Sequence, residues 1–529
     1  MQGTEGFKTE QERAAGAASG PVRKTSHGNV SGLERAGVDV FLGVPYGADT
    51  GGTNRWLPPK APSAWSGVKE CIEYGPLPPQ PTPVMAPMPE ESALAQQGPV
   101  GEDCLRLNVY TPSSEPESGP RPVMVWFHGG GYFAGSGNGA AYDGSNLAKK
   151  QDVVVVSVTH RLGIFGFLYL GDLFGELYAD SGNVGMLDCI AALDWVKSNI
   201  ANFGGDPDQV MCFGQSGGGS KVSTLLGMPA AQGLVHRAAC SSGAEFPPPI
   251  PQAVAAERAE LVVGALGATS AAQLQEMSWD HILNISNSVL PPMIGYTPVV
   301  DGRNLPAPAF SPVSALQHDI PLIVSTTETE IASWGAAVEP IDDNILLAQT
   351  AQLTGLSNED AVELIAVFGE AYPGLDNAYI GQLIASQWSY NSFSWGQAMA
   401  KAEAGGAPVH FLYFTFQGTN REGRIHSPHT SDIPFFFDSL EASAVSAGPL
   451  SPAKQDLADR MSSYWANFAR TGDPNGADLP RWEPFTSTGR AMLVAGHTGE
   501  LSLETDPWAA TRDAIDGFRS RAQPGPFGF

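Results

Sequence analysis

The chain has 529 residues, of which 42% are hydrophobic and 16% charged, a composition typical of a globular protein with a large core. Its formal net charge of −26 disfavours nucleic acid and anionic membrane surfaces as partners. The longest strongly apolar stretch, residues 164–170, is far too short to span a bilayer, so no stable membrane insertion is expected.

The chain is expected to form one large domain. Residues 1–21 are polar and predict a disordered tail, and the first 35 residues lack the apolar region of a secretory signal, so a cytoplasmic location is expected. No linker or internal repeat interrupts residues 22–529, which are interpreted as a single domain with insertions at about 75–97, 245–300 and 335–400. The oligomeric state is left open.

Short apolar runs alternate with helical patterns along the chain, which predicts an α/β fold with a mostly parallel sheet. Helical periodicity begins at Met186 and ends at Gly204-Gly205, and a second helix is predicted to begin at Ser451-Pro452. The predicted strands cover residues 122–127, 153–158, 210–213, 237–240, 322–325 and 410–416, and a short helix covers residues 220–226.

Residues 214–218 read Gly-Gln-Ser-Gly-Gly between a predicted strand and a predicted helix. This Gly-x-Ser-x-Gly pattern is that of a nucleophile elbow, in which small neighbours let a sharp turn expose the serine. The start of the following helix favours an anion beside that serine. Ser216 is therefore the candidate nucleophile.

A glycine run, His128-Gly129-Gly130-Gly131, follows the predicted strand at residues 122–127. In hydrolases with a nucleophile elbow, such a run supplies N–H donors to the oxyanion of the tetrahedral intermediate. The candidate donors are Gly130, Gly131 and Gly217, the residue after the nucleophile. Residues 135–140 match a dinucleotide-binding fingerprint, but they lie in a predicted loop and not between a strand and a helix, so that site is not expected.

A serine nucleophile needs a histidine base and a carboxylate that orients it, in the chain order Ser, Asp or Glu, His. Two acids, Glu328 and Glu330, follow the strand predicted at residues 322–325, and two histidines, His426 and His429, share a later loop. His410 begins a predicted strand, and His497 lies in a glycine-flanked segment near the end of the chain. The residues alone leave both acids and both loop histidines open.

Several further motifs resemble the type-B carboxylesterases, the family that contains cholinesterases, fungal lipases and bacterial para-nitrobenzyl esterases. The resemblance covers about residues 22–485 and implies the α/β-hydrolase fold, in which helical insertions form the walls of the active-site gorge. Besides the glycine run, the motifs are FLGVPY at 41–46, EDCLRLNV at 102–109, RLG at 161–163, GNVGMLD at 182–188, NFGGDP at 202–207, FGQSGGG at 213–219, PVVDG at 298–302 and NFARTGDPN at 467–475.

The resemblance implies that Glu330 is the acid and His429 the base, with Glu328 and His426 as ordinary surface residues. It also implies the ion pairs Arg55–Glu102 and Arg161–Asp188, and it places a lid within residues 75–97. Cys104 matches one half of a family disulfide, but Cys71 lies several residues before the usual partner position, so that bridge is not expected. Gln215 stands where the family usually has glutamate, which argues against selectivity for cationic esters.

The expected function is hydrolysis of a small-molecule carboxylic ester through an acyl-enzyme, without a metal or other cofactor. The five cysteines form no Cys-x-x-Cys pair, and no His-Glu-x-x-His spacing occurs. The same triad would serve acyl transfer, or cleavage of a lactone, amide or carbamate. A non-catalytic interaction domain is the remaining alternative, and the presence of all three triad residues argues against it. Aromatic residues such as Trp388, Phe393, Trp395 and the run at 435–437 are candidates for the pocket wall or the core.

Overall fold

The computed structural model describes residues 20–81, 96–116, 118–244, 246–310, 313–332, 338–418, 426–442 and 448–523. The strands in these residues are β1 (Val22–Thr25), β2 (Gly28–Ser31), β3 (Leu33–Arg35), β4 (Val38–Pro45), β5 (Val68–Glu70), β6 (Arg106–Pro112), β7 (Arg121–Phe127), β8 (Val154–Thr159), β9 (Gly205–Gln215), β10 (Arg237–Ser241), β11 (Ile250–Pro251), β12 (Val299–Val300), β13 (Leu322–Thr327), β14 (Val409–Phe414), β15 (Ala491–Ala495) and β16 (Leu501–Thr505).

The helices of the described residues surround these strands. They are α1 (Ser145–Gln151), α2 (Gly163–Phe167), α3 (Gly171–Phe174), α4 (Val184–Asn199), α5 (Gly217–Gly227), α6 (Gln252–Ala265), α7 (Ala271–Glu276), α8 (Trp279–Val289), α9 (Pro292–Gly295), α10 (Ala315–Asp319), α11 (Asp343–Thr354), α12 (Asn358–Ala371), α13 (Asn377–Ser386), α14 (Ser392–Ala404), α15 (Ile433–Phe437), α16 (Pro452–Thr471) and α17 (Ala509–Arg519). A π-helical turn, Gln387–Asn391, joins α13 to α14.

One large sheet organises the molecule, with the strand order β16-β15-β14-β13-β10-β9-β7-β8-β6-β4-β3. The strands from β8 to β15 in this order run parallel to one another, and antiparallel pairs complete both edges. The central strands β7, β8 and β13 are buried along their whole length, as expected when helices cover both faces of a parallel sheet. The predicted mostly parallel α/β architecture is confirmed.

Local signals explain where the two longest helical segments end. A short 3₁₀ turn extends α4 to Phe203, and Gly204 then adopts a left-handed conformation that closes it. The side chain of Ser451 accepts a hydrogen bond from the N–H of Lys454 at the start of α16, and left-handed Gly472 ends that helix. The end of α4 and the beginning of α16 lie where the sequence predicted them.

Two ion pairs, one fully buried and one partly buried, form as the family resemblance implied. Arg161 binds Asp188 in a bidentate arrangement, with Nε–Oδ2 and Nη2–Oδ1 distances of 2.8 and 2.7 Å. Arg55 binds Glu102 with an Nε–Oε1 distance of 2.6 Å. Cys71 and Cys104 are both buried free thiols, so no disulfide joins them in the structure.

The proposed insertions at about 245–300 and 335–400 contain helices α6 to α9 and α11 to α14. The predicted lid within residues 75–97 lies mostly outside the described residues, as does the predicted tail at residues 1–21. No helix in the described residues is both long and apolar enough to cross a membrane.

Candidate active site

Ser216 lies at a sharp turn between β9 and α5 and has a positive backbone φ of 58° with ψ of −131°. This conformation is strained for a residue with a side chain, and it occurs mainly where the surroundings enforce it. The N–H of Ser216 donates to the carbonyl oxygen of Ser241 at 2.8 Å, which anchors the turn to β10. A Cβ at Gly218 would lie 2.0 Å from the carbonyl oxygen of Phe127, so only glycine permits this approach. The strand–turn–helix context predicted for the motif is confirmed.

The glycine loop that follows β7 lies against this turn. Gly130 and Gly131 have φ of 85° and 59°, conformations that glycine adopts without strain. A Cβ at Gly217 would lie 2.4 Å from the nitrogen of Gly131, so the loop and the first turn of α5 are in close contact. Among the described residues, the N–H groups of Gly130, Gly131 and Gly217 have no hydrogen-bond acceptor. Three donors predicted from two motifs are thus available beside Ser216.

Glu330 and His429 form a buried pair although 99 residues separate them along the chain. Glu330 follows β13, and His429 lies in the loop before α15. The N–H of Thr329 donates to the carbonyl oxygen of Ser427 at 3.0 Å, which holds the two segments together. His429 Nδ1 donates to Glu330 Oε2 in a short hydrogen bond, and both side chains are fully or almost fully buried.

The second oxygen of Glu330 is saturated with donors. Oε1 accepts from the hydroxyls of Ser242 and Thr326, each at 2.6 Å, and from the N–H of Thr327 at 2.7 Å. Burial alone would raise the pKa of Glu330, but the charge of His429 and these hydrogen bonds hold it below its ordinary value. The carboxylate is therefore ionised and fixed in one orientation.

Gln215 contacts His429 at Nε2, the ring nitrogen that does not face Glu330. The amide Nε2 of Gln215 lies 3.2 Å from Nε2 of His429. When the imidazole is neutral, an Nδ1–H group that donates to Glu330 leaves the lone pair on Nε2, where it can accept from the amide. This is the tautomer that a general base requires. An amide at this position places no negative charge beside Ser216.

An aromatic wall adjoins the nucleophile. The hydroxyl of Tyr390 hydrogen-bonds with that of Ser216, and the Tyr390 ring lies 4.7 Å from the His429 ring between centroids. Phe246 packs edge-on against Tyr390 and stacks on Phe393, with centroid distances of 5.2 Å in both cases. Tyr390 belongs to the π-helical turn, a distortion that is frequent at functional sites. The three rings form one aromatic surface, and Tyr390 is the member of it that interacts with Ser216.

Asp432 lies in the same loop as His429 and is fully buried. Among the described residues, neither of its carboxyl oxygens has a hydrogen-bond partner. Burial, followed by the charge of Glu330, raises the pKa of Asp432 to about 8. The carboxyl is therefore protonated at neutral pH.

The alternative acid and histidine form a different cluster, so the expectation that Glu328 and His426 are ordinary surface residues is wrong. Glu328 is 7% exposed, accepts from the hydroxyl of Tyr379 at 2.8 Å and lies 3.2 Å from Nε2 of His497. The His426 ring stacks on Tyr379. Glu328 and Glu330 therefore contact different histidines, His497 and His429.

Sequence reasoning did not identify Tyr390, Ser242 or Lys221, a buried lysine behind the glycine loop. Tyr390 and Ser242 belong to no catalytic motif, and only the fold brings them to Ser216 and Glu330. Trp388 and the phenylalanines at 435–437 are buried in the core and do not form a free pocket wall. No group of three or more His, Cys, Asp or Glu side chains in the described residues is arranged to hold a metal ion.

Comparisons with known proteins find esterases of similar sequence and fold. The para-nitrobenzyl esterase of Bacillus subtilis is 31% identical over 503 residues, which cover 93% of this chain and 97% of that protein. Among solved structures, a Geobacillus stearothermophilus carboxylesterase has a TM-score of 0.78 at 32% identity and covers 93% of this chain and 99% of its own. An esterase of Clostridium hathewayi has a TM-score of 0.80 at 31% identity, with coverage of 94% and 98%.

The fold is therefore that of the α/β-hydrolases, with the large parallel sheet that its structural neighbours share. The model of the carboxylesterase family matches residues 19–507. The chain belongs to this family and is a carboxylic ester hydrolase, as the sequence motifs implied.

Proposed function

We propose that the protein cleaves uncharged carboxylic esters through an acyl-enzyme formed on Ser216, with His429 as general base and Glu330 as the acid that orients it. The observation that carries this proposal is the buried Glu330–His429 pair, in which Nε2 of His429 lies 3.2 Å from the amide of Gln215, the residue beside the nucleophile. Gly130, Gly131 and Gly217 would donate hydrogen bonds to the oxyanion.

The first half of the reaction transfers the acyl group to the serine. Ser216 Oγ attacks the carbonyl carbon while its proton moves to Nε2 of His429, and the ester C–O bond breaks as the imidazolium returns that proton to the departing alcohol. Glu330 stabilises the imidazolium through the Nδ1 hydrogen bond. In the second half, water repeats these steps on the acyl-enzyme and releases the acid.

The oxyanion hole is expected to provide much of the rate enhancement. The carbonyl oxygen gains a full negative charge in the tetrahedral intermediate, and preoriented N–H dipoles stabilise it without reorganisation. Loss of one such donor typically lowers kcat by about 10²–10³. The N–H groups of Gly130, Gly131 and Gly217 are suited to this role because they lie close together and are not used in secondary structure.

The surroundings of the site favour apolar, uncharged substrates. Phe246, Tyr390 and Phe393 form a continuous aromatic surface beside Ser216. Gln215 replaces a carboxylate with an amide, so the position next to the nucleophile offers no charge to a cationic ester.

Hydrolysis of para-nitrophenyl esters of increasing acyl length tests the proposal. Ser216→Ala is expected to lower kcat by about 10⁴–10⁶, to the background rate. The matched control is Ser223→Ala, a buried serine on the same helix whose hydroxyl contacts Cys240; it is expected to retain activity. Full activity of Ser216→Ala would overturn the proposal. Ester products in the presence of a competing alcohol would reveal acyl transfer in place of hydrolysis.

A further inference from the structure

Lys221 is a fully buried lysine on α5, one turn after Gly217. Its ammonium donates to the carbonyl oxygens of His128 at 2.9 Å and Gly131 at 2.7 Å. These two carbonyls belong to the first and last residues of the His-Gly-Gly-Gly run, so they flank the N–H groups of Gly130 and Gly131. One side chain thus joins both ends of the glycine loop to the helix.

The groups packed around this ammonium carry no negative charge. His128 and His160 face it from the ends of β7 and β8, and burial, followed by the charge of Lys221, lowers the pKa of both imidazoles well below its ordinary value. Burial also keeps the thiol of Cys189, on α4, protonated by raising its pKa. The ring of Tyr132 lies 5.6 Å from the ammonium.

Burial is costly for this cation. It lowers the pKa of Lys221 to about 7, and no carboxylate among the described residues pairs with it. The hydrogen bonds to the two loop carbonyls are therefore its main stabilising contacts. The same contacts act on the loop, because each bond that holds the ammonium also holds a carbonyl.

We propose that Lys221 is a positioning residue for the oxyanion hole: its ammonium fixes the glycine loop relative to the first turn of α5, and so brings the N–H groups of Gly130, Gly131 and Gly217 to a common point. This inference rests on the proposed function, since it assigns a role within the same site.

The loop needs such an anchor because it has no side chains of its own beyond His128. Gly130 and Gly131 have left-handed backbone conformations, and glycine leaves that conformation at little cost. An oxyanion hole works only when its donors lie about 2.7–3.1 Å from the developing charge. Two of the three donors are on the loop and the third, Gly217, is on α5. Lys221 bridges these two segments.

Lys221→Met removes the charge and both hydrogen bonds while keeping much of the side-chain volume. The matched control is Lys401→Met, because Lys401 is also fully buried and its ammonium also donates to two backbone carbonyls, those of Gln317 and His318. Lys401 belongs to α14, and the residues that accept its hydrogen bonds belong to α10. Both variants lose an amino group that donates to two backbone carbonyls, but only Lys221 contacts the glycine loop.

The assay is kcat and KM for a para-nitrophenyl ester, with competent sites counted by fluorophosphonate titration. In Lys221→Met we expect kcat per titrated site to fall about 10²-fold, the effect of losing one oxyanion donor, with KM changed less than threefold. Affinity for a trifluoromethyl ketone, whose serine adduct carries an oxyanion, should fall in parallel. Lys401→Met should keep kcat per site within twofold of wild type.

A kcat per site within threefold of wild type in Lys221→Met, or an equal loss in Lys401→Met, would overturn the inference and leave Lys221 a structural residue. If Lys221→Met does not fold, Lys221→Gln, which keeps an amide donor without the charge, is measured in the same way and should show a smaller loss of the same kind. Failure of fluorophosphonate to titrate the wild-type enzyme would instead count against the proposed nucleophile, so the two failures are distinguishable.

Discussion

Replacing Glu330 with glutamine changes one atom of a carboxylate whose surroundings decide how the new amide must lie. Oε1 accepts three hydrogen bonds, from Ser242, Thr326 and the N–H of Thr327, and Oε2 accepts one from His429. The N–H of Thr327 is part of the backbone and cannot turn away. We therefore expect the amide oxygen at the Oε1 position and the NH₂ group towards His429.

This orientation forces the wrong histidine tautomer. The NH₂ group cannot accept a proton from Nδ1, so the imidazole must carry its proton on Nε2 and lose the lone pair that Ser216 needs. Loss of the correct tautomer in a serine triad lowers kcat about 10⁴-fold, which corresponds to about 5.4 kcal/mol of transition-state stabilisation. KM should change little, because Glu330 and His429 are buried behind the reacting serine.

The assay is steady-state hydrolysis of para-nitrophenyl acetate, with folding checked by thermal melting. Glu328→Gln is the matched control, because Glu328 lies two residues away, is also buried and also contacts a histidine, His497. It should keep kcat within about threefold. The reasoning would be refuted if Glu328→Gln lost activity and Glu330→Gln did not, or if both variants lost activity equally.

Glu330→Gln should also change how the melting temperature depends on pH. The pKa of Glu330 lies below its ordinary value, so its ionised form stabilises the fold above that value, and the contribution is lost as the pH falls through the folded-state pKa. Glu330→Gln lacks this contribution, so its melting temperature should fall less steeply than that of wild type below about pH 5. Parallel melting curves for the two proteins over this range would contradict the assignment.

Three further substitutions test other parts of the site. Tyr390→Phe removes the hydrogen bond to Ser216. Loss of a bond worth about 1 kcal/mol should lower kcat/KM about fivefold and leave the melting temperature unchanged. An unaltered rate would show that the reaction does not use the hydroxyl. Gly218→Ala places a Cβ against the carbonyl of Phe127 and should lower the free energy of unfolding by at least about 3 kcal/mol. Gly369→Ala, on an open helix surface, should raise it by roughly 0.5–1 kcal/mol. Equal effects of the two substitutions would refute the close packing at the elbow. Asp432→Asn should raise the melting temperature more at pH 9 than at pH 5. The reason is that a buried carboxyl with a raised pKa destabilises the fold as the pH rises through about 8. A shift in melting temperature that does not depend on pH would contradict the burial argument.

The sequence predicted the parts of the site that depend on local chain geometry. Ser216 needs small neighbours on both sides, and the glycine loop needs conformations that other residues avoid, so both features are visible as motifs. The central strands β7 and β8 were predictable because a parallel strand buried on both faces is apolar along its whole length.

The contacts between distant segments were not predictable from the residues. Tyr390 reaches Ser216 from a π-helical turn whose distortion has no sequence signal. Ser242 contacts Glu330 from the end of β10. No sequence motif distinguishes this serine from the others in the chain. The choice between Glu328 and Glu330 likewise depended on family resemblance, since both follow the same strand and both prove to be buried.

Short strands at the edges of the large sheet and in a separate small sheet were also missed. Strands β1 and β2, which pair with β5 in that small sheet, and the edge strand β3 are three or four residues long and partly exposed. The other edge strand, β16, is exposed along most of its length. Such short segments carry too few apolar positions for a periodic signal, and pairing with their neighbours decides their conformation.

Covalent labelling of the nucleophile tests the central claim most directly. The enzyme is incubated with a fluorophosphonate, and the modified residue is located by peptide mass spectrometry. The account predicts one adduct per chain on Ser216, complete loss of esterase activity as the adduct forms, and much slower labelling in His429→Ala. Esterase activity that survives full modification of Ser216, or an adduct on another serine that abolishes activity, would contradict it.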